Sequence, residues 1–141
     1  MDIEREIEKM TLPVKKRITK IFSSKKEPFE VYGLLKEFMQ LKGKFIRPAL
    51  CIASCKAVGG NPKKTLHVAA AIELFHNFTL IHDDIEDNSL LRRGVPCLHV
   101  KYGVPLAINA GDGLFMMVWK EALRVKNNVV QEKLLDSFTK V

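Results

Sequence analysis

"HVAAAIELFHNFTLIHDDIED", residues 67 to 87, is the stretch whose reading decides the fold. From His67 to Ile81 it is apolar nearly all round, the signature of a helix buried on every side rather than one lying on a surface. Traced back to Lys63, it predicts one long central helix over Lys63 to about Asp87, and the helix ends in acid. At about 100° per residue, Asp83 and Asp87 stand one turn apart on the same face. Two such carboxylates repel by a few tenths of a kcal/mol, and the macrodipole at a helix C-terminus disfavours both. Stability gives no reason for this placement.

Working outward, the flanking segments also read as helix. Ile3, Ile7, Met10 and Val14 follow one apolar helical face. Ser23 to Phe29 is a loop by composition, and Glu30 to Leu41 resumes a helix with Leu34, Leu35 and Phe38 inward. Arg47-Pro48 marks a helix start, since proline is tolerated in the first turn. That helix stops at Gly59-Gly60-Asn61-Pro62. Asn88 to Pro96 is a loop, followed by an apolar helix from about Pro105 to Val125 and an amphipathic one from Val129 onward. No run alternates as a strand should, so the fold class is all-α, in one domain over residues 1–141.

Composition limits the function. The 141 residues are 47% hydrophobic and 28% charged, with 23 Lys and Arg against 16 Asp and Glu, a formal net charge of +7. An anionic partner is implied, but charge alone does not choose among nucleic acid, membrane surface and phosphorylated small molecule. The positive charge is scattered and no basic stripe is interleaved with aromatics, which argues against nucleic acid. The most apolar stretch, Val104 to Trp119, is broken by Asp112, Pro105, Gly111 and Gly113, and falls short of a membrane span. The first ten residues alternate in charge and do not read as a secretory signal. A cytoplasmic, reduced protein is expected. Cys51, Cys55 and Cys97 form neither a disulfide framework nor a zinc spacing; they are read as small apolar residues.

Taken by itself, DDxxD at a helix end is most simply a solvated acidic terminus. Here Arg92 and Arg93 follow a few residues later, close enough to fold back near the carboxylates. Hard divalent cations such as Mg²⁺ take carboxylate oxygens and are completed by substrate phosphates, and arginine grips phosphate bidentately. The acidic and basic clusters can therefore neutralise each other through a diphosphate and its metal ions. A second basic cluster, Lys42, Lys44 and Arg47, opens an earlier helix, where free N–H groups attract phosphate; a solvated turn is its ordinary reading. His76, seven residues before Asp83, shares its stripe within about 20°, although a histidine among apolar neighbours is more often a core residue.

Together these motifs resemble a trans-isoprenyl diphosphate synthase (polyprenyl synthetase), and within that family the archaeal-type geranylgeranyl diphosphate synthases. "KGKFIRP", residues 42 to 48, resembles the family's GGKRLRP element, with Lys42 in place of the first glycine. "DDIEDNSLLRRG", residues 83 to 94, resembles its first aspartate-rich motif with the following arginines. "ELFHNFTLIHDD", "RRGVPCLHVKYG" and "NAGDGLF" match as well. The resemblance implies an isoprenoid-synthase-type helical bundle, of which this chain carries the N-terminal half. The second aspartate-rich motif, the Lys-Thr pair and the downstream glutamine expected of a second half do not follow.

By position, the resemblance assigns Lys44, Arg47, His76 and Arg93 to the isopentenyl diphosphate headgroup and Arg92 to the allylic diphosphate. Asp83 and Asp87 would ligate Mg²⁺, with Asp84 counted in the catalytic motif. It also implies a chain-length pocket at Phe78, Phe75 and Thr79 and points to a C20 product. A straight helix supports this only in part: Ile72, His76, Thr79 and Asp83 share a stripe, but Phe78 sits about 140° from Asp83. Ordinary core phenylalanines are the competing reading. A terpene cyclase would share DDxxD, but it does not need the second diphosphate site that KGKFIRP and RRG suggest. Half a bundle exposes apolar faces, so a homodimer, a complementary C-terminal chain, or both are expected as partners.

Overall fold

A computed structural model describes residues 2–23, 28–41 and 43–140. Its elements are α1 (Ile3–Ser23), α2 (Leu34–Met39), α3 (Ile46–Ala57), α4 (Leu66–Glu86), β1 (Leu91–Arg92), β2 (Val95–Pro96), α5 (Leu98–Tyr102), α6 (Val104–Ala122) and α7 (Asn128–Thr139). A π-helical turn, Phe29–Gly33, leads into α2, and a 3-10 turn, Pro62–Thr65, leads into α4. The all-α expectation holds. Among the described residues, no helix is long and apolar enough to cross a membrane.

By internal contact the chain divides into two compact units. The first comprises Met1–Ile18, Phe45–Glu73 and Met117–Val141; the second comprises Thr19–Lys44 and Leu74–Met116. In the first, Val14 and Ile18 of α1, Ala49 and Ile52 of α3, Ala69 to Ala71 of α4 and Val118 and Ala122 of α6 are buried. In the second, the buried side chains are Leu34, Leu35 and Phe38 of α2, Leu74 and Ile81 of α4, Cys97, Leu98, and Ala107, Ala110 and Leu114 of α6. Helix α4 behaves as its all-round apolar sequence requires, because no residue from 65 to 82 is exposed. Residues 70, 73, 74, 77, 81 and 84 form its fully buried stripe, while 72, 76 and 79 remain half-buried.

Several expectations are refined. The α1 face is confirmed at Val14, with Ile7 and Met10 half-buried, but Ile3 at its first position is exposed and the stripe continues instead to Ile18 and Phe22. The loop expected at Ser23 to Phe29 lies partly outside the described residues. The loop expected over Asn88 to Pro96 contains a small antiparallel hairpin, in which Leu91 pairs with Pro96 and Arg92 with Val95. Both residues of its two-residue turn, Arg93 and Gly94, have positive φ (54° and 82°), the combination that matches the twist of the flanking strands. Strands of two residues are too short for an alternating pattern to register. Helix α5 was missed for the same reason of length. Cys97, just before α5, is buried, whereas Cys51 and Cys55, expected on a buried helix face, are only half-buried.

Candidate diphosphate and metal site

The acidic motif closes α4. A hydrogen bond from Asp87 N to Asp83 O (2.8 Å) carries the helical repeat through it, which sets the two carboxylates one turn apart. Asn88 then turns left-handed, with φ 51°, and stops the helix. Asp83 and Asp87 are both exposed. Among the described residues, no side chain hydrogen-bonds or ion-pairs with either of them.

Asp84 differs from both. It faces inward at 2% exposure and accepts from Arg92 Nε (2.9 Å) and Arg92 Nη2. The hydrogen bond to Asp84 raises the guanidinium pKa further above its ordinary value, against the opposing effect of burial. Arg92 thus folds back onto the acidic motif, as its spacing suggested. Arg93, forced to diverge by the turn, instead donates from Nη1 to Leu41 O (3.2 Å). A Cβ on Gly43 would sit 3.3 Å from Arg93 Nη2, so this glycine makes room for the guanidinium beside the KGK element.

Lys44 is exposed in the second unit, and Arg47 is exposed in the first turn of α3, within the first unit. Lys42 lies outside the described residues. Phe45, between Lys44 and Arg47, caps α3 with φ 52°. The three non-glycine residues with positive φ among the described ones are Phe45, Asn88 and Arg93. All fall in or beside the two charged motifs, and backbone outliers of this kind gather at functional sites.

His76 and Thr79 sit half-buried on the Asp83 stripe, with Thr79 Oγ1 donating to His76 O (2.8 Å). Phe75 and Phe78 lie on a different face, in an aromatic cluster. Phe78 stacks on Phe115 of α6 with centroids 4.8 Å apart, and lies 5.8 Å from Phe75 and 4.7 Å from the His82 ring. Here the helical wheel was right: Phe78 does not share the Asp83 stripe.

Three features escaped the sequence reading. His82 Nε2 approaches Asp112 Oδ1 at 3.5 Å, and a Cβ at Gly111 would lie 2.3 Å from His82 Cε1; the match of "IHDD" and "NAGDGLF" to one family was the available signal. Glu37 of α2 receives Lys101 Nζ and Tyr102 Oη, each at 2.6 Å, anchoring α5 after the hairpin. The Lys101 bond first, then that of Tyr102, holds the Glu37 carboxyl below its usual range. Cys97, at 1% exposure, stands beside Asp84. No spacing in the sequence announces the last two pairings.

The donor set suits a hard cation that shares its shell with a ligand. Among the described residues no group of three or more His, Cys, Asp or Glu is arranged to cage a metal by protein atoms alone. Two exposed carboxylates one turn apart fit Mg²⁺, which keeps waters and is completed by phosphate oxygens.

A family model, Polyprenyl synthetase, matches residues 29–141. The chain belongs to the polyprenyl synthetase family. It is 43% identical over 114 residues to a geranylgeranyl diphosphate synthase of Methanosarcina mazei, covering 80% of this chain and 35% of that protein. It is 53% identical over 72 residues to one of Saccharolobus solfataricus, covering 51% of this chain and 22% of that one. Among solved structures, a geranylgeranyl pyrophosphate synthetase from Pyrococcus horikoshii superposes with a TM-score of 0.91 at 33% identity, over 97% of this chain and 42% of that one. The isoprenoid-synthase-type fold is thereby shared. This polyprenyl synthetase chain spans about a third of the length of the curated relatives it matches.

Proposed function

We propose that residues 1–141 form the N-terminal half of an all-α trans-prenyltransferase domain and carry one of its diphosphate sites. The enzyme would condense isopentenyl diphosphate with an allylic diphosphate, in geranylgeranyl or farnesyl diphosphate synthesis. The remaining elements would be supplied by sequence outside these residues, in the reading argued above by a complementary C-terminal chain. The observation that carries the proposal is the exposed pair Asp83 and Asp87, with Arg92 folded back onto Asp84 beside it. A fold that buries Asp84 and hydrogen-bonds it to Arg92 leaves Asp83 and Asp87 exposed, with Asp83 meeting Arg92 only through its charge, which suits them to an external cation.

In this reading Asp83 and Asp87 hold Mg²⁺, which when bound supplies Lewis acidity to the departing diphosphate. Arg92 grips the allylic diphosphate, while Lys44, Arg47, His76 and Arg93 serve the isopentenyl diphosphate headgroup. The allylic C–O bond breaks and the diphosphate leaves with the electron pair. The alkene of isopentenyl diphosphate attacks the allylic carbon, and a proton passes to the released diphosphate. The half-buried apolar residues of α4 would help to exclude water from the cation. Phe75, Phe78 and Thr79 would limit chain growth, with a C20 product. A homodimer would cover the apolar side chains exposed on α6 and α7, among them Met116, Val129 and Val130. The cytoplasm is the compartment proposed.

The alternative reading is a non-catalytic diphosphate-binding fragment or subunit of a heteromeric prenyl synthase. Calorimetry with inorganic diphosphate tests what both readings share: heat is expected only when Mg²⁺ is present, and no binding, or equal binding without Mg²⁺, rejects both. Prenyl transfer after mixing with a complementary C-terminal half then separates them, since turnover supports the enzyme and its absence the binding subunit.

A further inference from the structure

The segment that carries Arg93 is tied to α2 at both ends. At the near end, Arg93 Nη1 donates to Leu41 O (3.2 Å), just beyond the last turn of α2. At the far end, Lys101 Nζ and Tyr102 Oη donate to the two oxygens of Glu37, each at 2.6 Å. Lys101 Nζ also lies 5.0 Å from the centre of the Tyr102 ring, so the three side chains form one cluster. Between the ends the backbone closes on itself: Cys97 N donates to Leu90 O, and Val100 N and Lys101 N donate to Cys97 O, all at 3.1 Å. Hairpin and α5 are therefore joined as one piece. Its anchor is firm, because Leu34, Leu35 and Phe38 hold α2 in the core at 2% exposure or less.

The two ties are unequal. Those to Glu37 are short and charge-assisted, about twice as strong as neutral hydrogen bonds. The one to Leu41 is longer, exposed and made to a neutral carbonyl, so an anion competes for it more easily. We propose that Glu37 is a positioning residue for Arg93: by holding α5 it keeps the hairpin where Arg93 rests on the Leu41 carbonyl beside Gly43, and a diphosphate oxygen takes the guanidinium over from that carbonyl. Glu37 touches neither ligand nor metal; it acts through Lys101, Tyr102 and the hairpin. The inference deepens the diphosphate reading and rests on it for the identity of the anion. The sign of the effect separates this role from a general electrostatic one. Glu37 is an acid in a chain of net charge +7, and on charge alone its removal should tighten the binding of an anion. Positioning requires the reverse.

The test uses the whole 141-residue chain. Calorimetry follows isopentenyl diphosphate in the presence of Mg²⁺, and nitrogen-15 relaxation gives the amide order parameters of the hairpin. Glu37→Ala is expected to weaken isopentenyl diphosphate about fivefold, the scale of a partly exposed charge-assisted tie. It should also lower the order parameters of Arg93 and Gly94 from the rigid range of about 0.85. Tyr102→Phe, which changes no charge, should weaken binding about twofold. In an Arg93→Ala background Glu37→Ala should cost nothing further, because the residue it positions is gone. Unchanged or tighter binding in Glu37→Ala overturns the proposal, and so does a loss of the same size that persists without Arg93. Should Glu37→Ala fail to fold, shown by loss of its cooperative thermal transition, Tyr102→Phe decides, and wild-type affinity there overturns the proposal. Absence of isopentenyl diphosphate binding in the wild type overturns the functional reading. The order parameters then still judge the tie, since wild-type values in Glu37→Ala overturn it.

Discussion

Glu121 near the end of α6 and the Asp83–Asp87 pair at the end of α4 are acidic groups on largely apolar helices, and the protein treats them in opposite ways. The Glu121 side chain is 3% exposed and every charge around it is an answer. Arg17 of α1 reaches both of its oxygens, His67 Nδ1 lies 2.9 Å from Oε2, and Arg124 Nε lies 3.4 Å from Oε1. Burial alone would raise the Glu121 pKa, but the hydrogen bonds from Arg17 and His67 bring it below the ordinary value. Among the described residues no side chain hydrogen-bonds or ion-pairs with Asp83 or Asp87, Arg92 acting on Asp83 only through its charge, and both face solvent against an unfavourable dipole. A carboxylate satisfied by its own chain is part of the fold. A carboxylate pair that the chain exposes and gives no hydrogen bond is available to something else.

The sharpest way to break this contrast is to remove each acid in turn. Asp83→Ala is expected to abolish Mg²⁺-dependent binding of diphosphate by calorimetry while thermal unfolding stays essentially as in the wild type; retained binding would refute the metal assignment. Glu121→Ala should do the reverse. Stripping the acid from Arg17 and His67 costs about 3 kcal/mol, the lower end for breaking a buried pair because Arg17 and His67 keep some solvent contact. Urea unfolding should show a lower midpoint, with diphosphate affinity of the folded protein unchanged.

Acid titration sharpens the comparison further. The folded-state pKa of Glu121 lies below its unfolded value, so its contribution is complete above the ordinary glutamate pKa of about 4.3. That contribution is lost as pH falls through the folded value. Stability should therefore decline below about pH 4 in the wild type, and less steeply in Glu121→Gln, as followed by circular dichroism. The smallest effect belongs to Asp83→Asn. It relieves the repulsion with Asp87 and the clash with the helix dipole, and is expected to raise stability by a few tenths of a kcal/mol. A loss of stability there would mean that Asp83 has a structural partner after all.

Much of this was legible before any coordinates. The apolar circumference of residues 67 to 81 called for a buried helix, and α4 has no exposed residue there. The spacing of Asp83 and Asp87 put them on one face, and Gly59 to Pro62 stopped α3 where expected. Each of these depends on neighbours a few residues apart, for which helical geometry is a sufficient guide. The separate fates of the three aspartates were not legible. Asp83 and Asp84 are adjacent and chemically identical, so the 100° between them matters only once it is known what each side meets. Likewise Arg92 and Arg93 read as one basic pair. The positive φ values of the hairpin turn send the first to Asp84 and the second to the Leu41 carbonyl.

The sequence by itself thus determined the helices, the family and the charged motifs, since periodicity and local spacing carry that information. Tertiary structure alone decided that Arg17 and His67, 104 and 54 residues from Glu121, would neutralise it, and that Cys97 would come to rest beside Asp84. Those pairings join residues distant in sequence, or placed by a tight turn with no periodic signal, and at Glu121 packing brings in the partners for a charge that burial would otherwise leave alone.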